Sequence, residues 1–70
     1  MLISIWDNID NADCQAKVYE VTGRFQVWIK KNRYGKYTVK EIFDTAIEAH
    51  QYLRSNGYWH MQMTINPEAV

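Results

Sequence analysis

Between Arg24 and Lys30 the chain alternates strictly, with Phe25, Val27 and Ile29 in one phase and Arg24, Gln26, Trp28 and Lys30 in the other. Successive side chains of a strand point to opposite faces, whereas a helical turn would mix the two sets, so this run suits a half-buried strand. A second run, residues 36–43, follows Asn32-Arg33-Tyr34-Gly35. Gly35, with Asn32 as a second candidate, can supply the positive φ of a short reversal, and a β-hairpin with a basic tip is expected. If Tyr37, Val39 and Phe43 continue the buried face, Lys36, Thr38, Lys40 and Ile42 share the exposed face with Trp28 and Lys30.

A helix is expected over residues 45–56. Thr45 is a good N-cap and Glu48 stands three residues on, as in a capping box; Asp44 adds negative charge where the helix dipole favours it. Ala46, Ala49, His50 and Leu53 then form an apolar stripe at helical spacing, with Ile47 and Tyr52 at its edges. Arg54 lies in the last turn and Gly57 is the expected stop.

Three further strands flank these elements. Residues 2–6 are apolar enough for an edge strand. Gln15–Val21 reads as a strand joined to the hairpin through Thr22-Gly23, but its inward face stays open. Val18 shares a phase with Glu20, Tyr19 and Val21 share one with Lys17, and a bulge at the turn could exchange them. Residues 58–65 alternate Trp59, Met61, Met63 and Ile65 against Tyr58, His60, Gln62 and Thr64. Asn66-Pro67 ends that run ahead of a loose tail. The expected fold class is α+β: one small antiparallel sheet of three to five strands with a single helix packed on the face bearing Phe25, Val27, Ile29 and Val39. At 70 residues it forms a single domain, residues 1–70, near the size at which one core still suffices.

Charge divides the chain as sharply as hydropathy does. Residues 24–40 hold Arg24, Lys30, Lys31, Arg33, Lys36 and Lys40, six of the eight basic residues, and no acid. The flanking segments each sum to −3, so a formal net charge of zero conceals a polarised molecule. Such polarity bears on partners and approach rather than on fold.

Chemistry is sparse by comparison. Asp7, Asp10 and Asp13 recur every third residue, without the alternating ligands and turn glycine of a calcium loop. They read as a solvated acidic loop or an acidic contact surface. Two histidines and one cysteine fall short of the four ligands of a structural zinc site. His50 is expected to be a half-buried packing residue and His60 an outward strand residue. Ser4 and Ser55 have no base identifiable from sequence, and phosphate loops, nucleophile elbows and metalloprotease helices are absent. Neither catalytic residues nor a metal or cofactor is expected, so the chain reads as a non-enzyme. Cys14 has no partner for a disulfide within the chain. No window reaches the roughly 20 apolar residues of a membrane span, and residues 1–8 lack the layout of a signal peptide. A soluble, cytoplasmic chain is expected.

The exposed hairpin face is the most informative surface. Arg24, Gln26, Trp28 and Lys30 on one strand, with Lys31, Arg33, Lys36 and Lys40 around and beyond the tip, offer charge for phosphates, polar groups for base edges and a flat ring. A solvated, lysine-rich outer face accounts for the lysines alone. Double-stranded DNA binding accounts for the lysines and for an outward tryptophan. Docking on a protein accounts for the density of Trp, Tyr and Arg, the types enriched in interface hot spots.

The strands-then-helix order, with GRFQVWI, KNRYGK and FDTAIEAHQYL, resembles the DNA-binding domains of the plant APETALA/ethylene-response type and the arm-binding domains of phage integrases. The resemblance covers about residues 17–53. It implies a three-stranded sheet in the major groove, with Arg24, Trp28, Lys30 and Lys40 facing DNA and Phe43, Thr45, Glu48 and Ala49 structural. The chain is also similar to small phage accessory proteins, including anti-restriction and anti-CRISPR inhibitors. That likeness implies a host protein as partner, bound and inhibited by the basic hairpin or by the acidic loop.

Overall fold

A computed structural model describes the backbone of residues 1–63 and the side chains of residues 1–60. The described residues form five strands and one helix: β1 (Leu2–Asn8), β2 (Gln15–Val21), β3 (Arg24–Lys30), β4 (Thr38–Phe43), α1 (Ala46–Ser55) and β5 (Tyr58–Met63). The expected α+β class with one antiparallel sheet and one helix is therefore what the chain adopts. Strand order across the sheet is β4-β3-β2-β1-β5. β1 to β4 form a meander, and β5 pairs antiparallel with β1 at the far edge. β4 and β5 accordingly run in the same direction on opposite edges, and no hairpin can join them. α1 makes that crossing and covers one face as it does so.

Residues 2–6 do not form an edge strand, because β5 returns beside them and leaves β1 internal. A register shift between Leu2 and Ser4 lets consecutive residues Ile3 and Ser4 both bury. The core under the helix is Ile3, Trp6, Ala16, Val18, Phe25, Val27, Ala46, Ala49, Leu53 and Tyr58. Two alanines on the buried stripe let α1 approach the sheet closely, and Phe43 and Tyr52 close its flank with ring centroids 5.4 Å apart. Thr45 caps the helix by accepting from Glu48 N at 3.2 Å, and the Glu48 carboxylate takes the Thr45 hydroxyl at 2.9 Å. Gly57, at φ +84°, ends it as expected.

The β2–β3 turn settles the face left open in the sequence. Pairing runs unbroken from Val21↔Arg24 to Gln15↔Lys30, so Thr22 and Gly23 alone make the loop, both at positive φ (51° and 82°). Ala16, Val18 and Glu20 thereby share the helix side with Phe25, Val27 and Ile29. The β3–β4 connection differs from the short turn expected there. It spans residues 31–37, and positive φ among the described residues occurs at Thr22, Gly23 and Gly57, not at Gly35 or Asn32. Gly35 is instead held against Asn32, donating its N–H to Asn32 O at 3.1 Å, and a Cβ there would lie 3.0 Å from Asn32 Oδ1.

A register shift between Val27 and Trp28 reverses part of β4. Val39 pairs with Trp28 and is exposed on the side away from the helix, and Thr38 pairs with Ile29 on the helix side. Tyr37 and Val39 thus do not continue the buried face, because one extra residue in a strand flips every side chain beyond it. Beyond the shift Phe43 and Ile42 keep their expected faces, opposite Phe25 and Gln26. His60 is exposed, yet it pairs with Trp6 on the helix side, its ring centroid 5.5 Å from the indole. Of the expected last strand, Thr64 and Ile65 lie outside the described residues, as does the tail from Asn66.

Candidate functional site on the bare sheet face

One helix cannot cover both faces of a five-stranded sheet, so among the described residues the face away from α1 lies bare of helix. By register it carries Lys17, Tyr19 and Val21 of β2, Arg24, Gln26, Trp28 and Lys30 of β3, Val39 and Ile42 of β4, and Trp59 of β5. At its centre Tyr19 and Trp28 meet edge to face, with centroids 6.1 Å apart. Trp28 Nε1 donates to Gln26 Oε1 at 3.1 Å, which fixes the indole and leaves the Gln26 amide N–H groups for other acceptors.

Tyr37, from the β3–β4 connection, folds over this face and donates its hydroxyl to Gln15 Oε1 at 3.3 Å. Lys17 Nζ lies 4.6 Å and Lys30 Nζ 5.3 Å from the centre of its ring. Burial raises the Tyr37 pKa above its usual 10.0, with Tyr19 and the nearby Asp7 adding to the effect, so the phenol remains neutral; among the described residues neither Lys17 nor Lys30 is in an ion pair. Tyr19, Val21, Gln26, Trp28 and Tyr37 together line an open groove of about 270 Å³.

The eight candidate residues of the hairpin do not form one surface. Gln26, Trp28 and Lys30 share the bare face with Arg24, but Arg24 Nη2 is engaged by Asp44 Oδ1 at 3.2 Å. Arg33 reaches back across the connection to Asp13 Oδ1 at 3.3 Å, joining the basic segment to the acidic loop. Lys31 and Lys40 instead line a cleft on the helix side with Cys14, Ile29, Tyr52 and Tyr58. Lys36 is exposed in the connection. Lys17, Tyr19 and Tyr37 were absent from the sequence-based set. The two-residue turn at Thr22-Gly23 carried the signal for the first two, since it places Lys17 opposite Trp28 and Tyr19 opposite Gln26.

The acidic loop has a structural occupation of its own. Asn8 Oδ1 accepts from the backbone N–H groups of Asp10 and Asn11, Asn11 Oδ1 accepts from Asp13 N, and Asp10 is exposed. Asp7 accepts from the Gln15 side chain at 3.1 Å. Among the described residues no group of three or more His, Cys, Asp and Glu side chains is arranged to hold a metal ion.

A serine–histidine pair invisible in the sequence does form. Ser4 Oγ lies 3.0 Å from His50 Nε2 and accepts from Trp6 Nε1 at 2.7 Å. Both members are buried, at 0% and 2% exposure, beneath a T-shaped Trp6–His50 contact, so no substrate reaches the hydroxyl. The pair ties β1 to α1. Burial, with the Arg54 and His60 charges behind it, lowers the His50 pKa to about 4 and keeps the ring neutral.

Among the described residues no helix is long and apolar enough to cross a membrane. Comparison with protein-family models, with curated proteins and with solved structures finds no match to this chain.

Proposed function

We propose that this chain is a non-enzymatic module that binds nucleic acid through the bare face of its sheet. The observation that carries the reading is the pairing of flat rings with lysines that no described ion pair engages. Tyr19, Trp28 and Tyr37 surround one groove, and Lys17 and Lys30 sit at the Tyr37 ring beside it. Aromatic faces offer stacking to any base, and lysines between them meet the phosphates that connect successive bases. The burial of Ser4 and His50 supports a binding role over catalysis. A cytoplasmic setting belongs to the same reading, since a free thiol such as Cys14 persists there.

Retardation of labelled DNA, as single strand and as duplex, at about 50 mM salt tests the reading. Binding is expected to weaken steeply with added salt, because each neutralised phosphate releases counterion. No retardation of either form retires it.

A second reading rests on a different observation. Val21, Val39, Ile42 and Trp59 are large apolar side chains left exposed around the same face, and such a rim suits docking on a host protein. Pull-down from lysate with and without nuclease separates the two. A stoichiometric protein that survives nuclease and is lost with Trp28→Ala favours the protein partner, whereas recovery of nucleic acid alone excludes it.

A further inference from the structure

We infer that the ligand of the bare face is a single strand, with a base stacked in the groove of Tyr19, Trp28 and Tyr37 and its flanking phosphates at Lys17 and Lys30. This rests on the reading of that face as a nucleic-acid surface and specifies which form of nucleic acid it takes.

Width is the first reason. Neighbouring strands stand about 4.8 Å apart, so a three-stranded sheet is roughly 10 Å across between outer strand axes and a five-stranded one roughly 19 Å. A B-DNA major groove is about 12 Å wide, enough for a helix or a narrow ribbon. In this chain β3 is flanked by β4 on one side and by β2, β1 and β5 on the other, so the groove over β2 and β3 lies within a broad surface and not on a narrow ribbon. A single strand imposes no such limit and can lie across it.

The second reason is where the hydrogen-bonding groups are spent. Guanidinium groups are the commonest readers of guanine edges in a duplex, and here Arg24 and Arg33 are both engaged by carboxylates, Asp44 and Asp13. Trp28 N–H is taken by Gln26. Apart from Arg24 in its exposed pair with Asp44, the face offers ring surface, one amide donor set at Gln26, and two lysine charges. That inventory recognises an unstacked base by its plane and a backbone by its charge.

The balance of charge agrees. On the bare face Arg24 is paired with Asp44, and Lys17 and Lys30 stand two to one against Asp7, which accepts from Gln15, the residue opposite Lys30. The Lys31–Lys40 pair lines a cleft on the opposite side of the sheet and does not extend this surface.

The test is fluorescence anisotropy with a labelled oligothymidylate, an oligouridylate and a duplex of matched length, read across a salt series. A single strand is expected to bind at least about tenfold more tightly than duplex. Trp28→Ala and Tyr37→Ala should each weaken single-strand binding about tenfold or more, as loss of one stacking platform does. Lys17→Gln with Lys30→Gln, which leaves the aromatic groove in place, should lower the salt slope by about 1.4, at roughly 0.7 for each phosphate contact on a single strand. Circular dichroism of each variant confirms that the sheet persists. Duplex binding as tight as single-strand binding, or an unchanged salt slope in the double lysine variant, overturns the single-strand inference while nucleic-acid binding stands. Absence of binding to all three probes overturns both.

Discussion

Ser4 and His50, 46 residues apart, share a buried hydrogen bond of 3.0 Å that joins the third residue of β1 to the middle of α1. Its partner arrangement is incomplete, since His50 Nδ1 is buried without a hydrogen-bond partner. A protonated imidazole would need acceptors at both nitrogens, and Arg54 and His60 add positive charge nearby. Neutral His50 is therefore part of the folded state.

Stability should consequently fall on mild acidification. The His50 pKa is about 4 in the fold against 6.5 in the free side chain, so between these values the unfolded chain binds the extra proton. The contribution of neutral His50 is complete above about pH 6.5 and is lost progressively as pH falls towards 4. The linkage relation gives a loss of about 2 kcal/mol between pH 7.5 and pH 5. Urea unfolding at the two pH values measures it, and His50→Gln should flatten the difference; an equal slope in both proteins refutes the assignment.

The β2–β3 turn carries a strain that can be removed. Thr22 holds φ at 51°, a conformation that a β-branched residue adopts at a cost of about 1 kcal/mol. Asn suits the first position of such a two-residue turn. Thr22→Asn is expected to raise the melting temperature by about 4 to 8 °C, the shift that 1 kcal/mol produces in a domain of this size. An unchanged or lower melting temperature counts against the turn geometry.

Leu53 is fully buried in the core under α1. Leu53→Ala should cost about 2 to 5 kcal/mol through lost burial and the cavity left behind, a large fraction of the stability of a small domain. Chemical denaturation reads the change directly. A midpoint indistinguishable from that of the parent chain contradicts the packing of α1 on this face.

Thr45 offers a milder test at the other end of the same helix. Its hydroxyl oxygen accepts from Glu48 N, and Thr45→Ala should lose about 1 kcal/mol, with Thr45→Asn restoring most of it. Recovery in the Asn variant separates capping from a general effect of substitution.

Local pattern was enough for the strand at Arg24–Lys30, the helix with its Thr45 cap and Gly57 stop, and the α+β class. Each of these rests on contacts within a few residues: alternation that a pleat sorts onto two faces, a hydroxyl that reaches an N–H three residues on, a glycine free to take positive φ. The two-residue Thr22-Gly23 loop was equally local, and the position of Tyr19 beside Trp28 could have been read from it. The rest depended on how distant elements pack. Tyr37 and Val39 changed sides because a shift opposite Val27 and Trp28 depends on how β4 meets β3, which no local pattern encodes. Lys31 and Lys40, which share the basic segment with Lys30, separated from it because the sheet stands between them and the bare face. Ser4 found its histidine only when α1 crossed the sheet to bring β5 beside β1, since a pairing across 46 residues is set by the packing of whole elements and leaves no periodic trace in the chain.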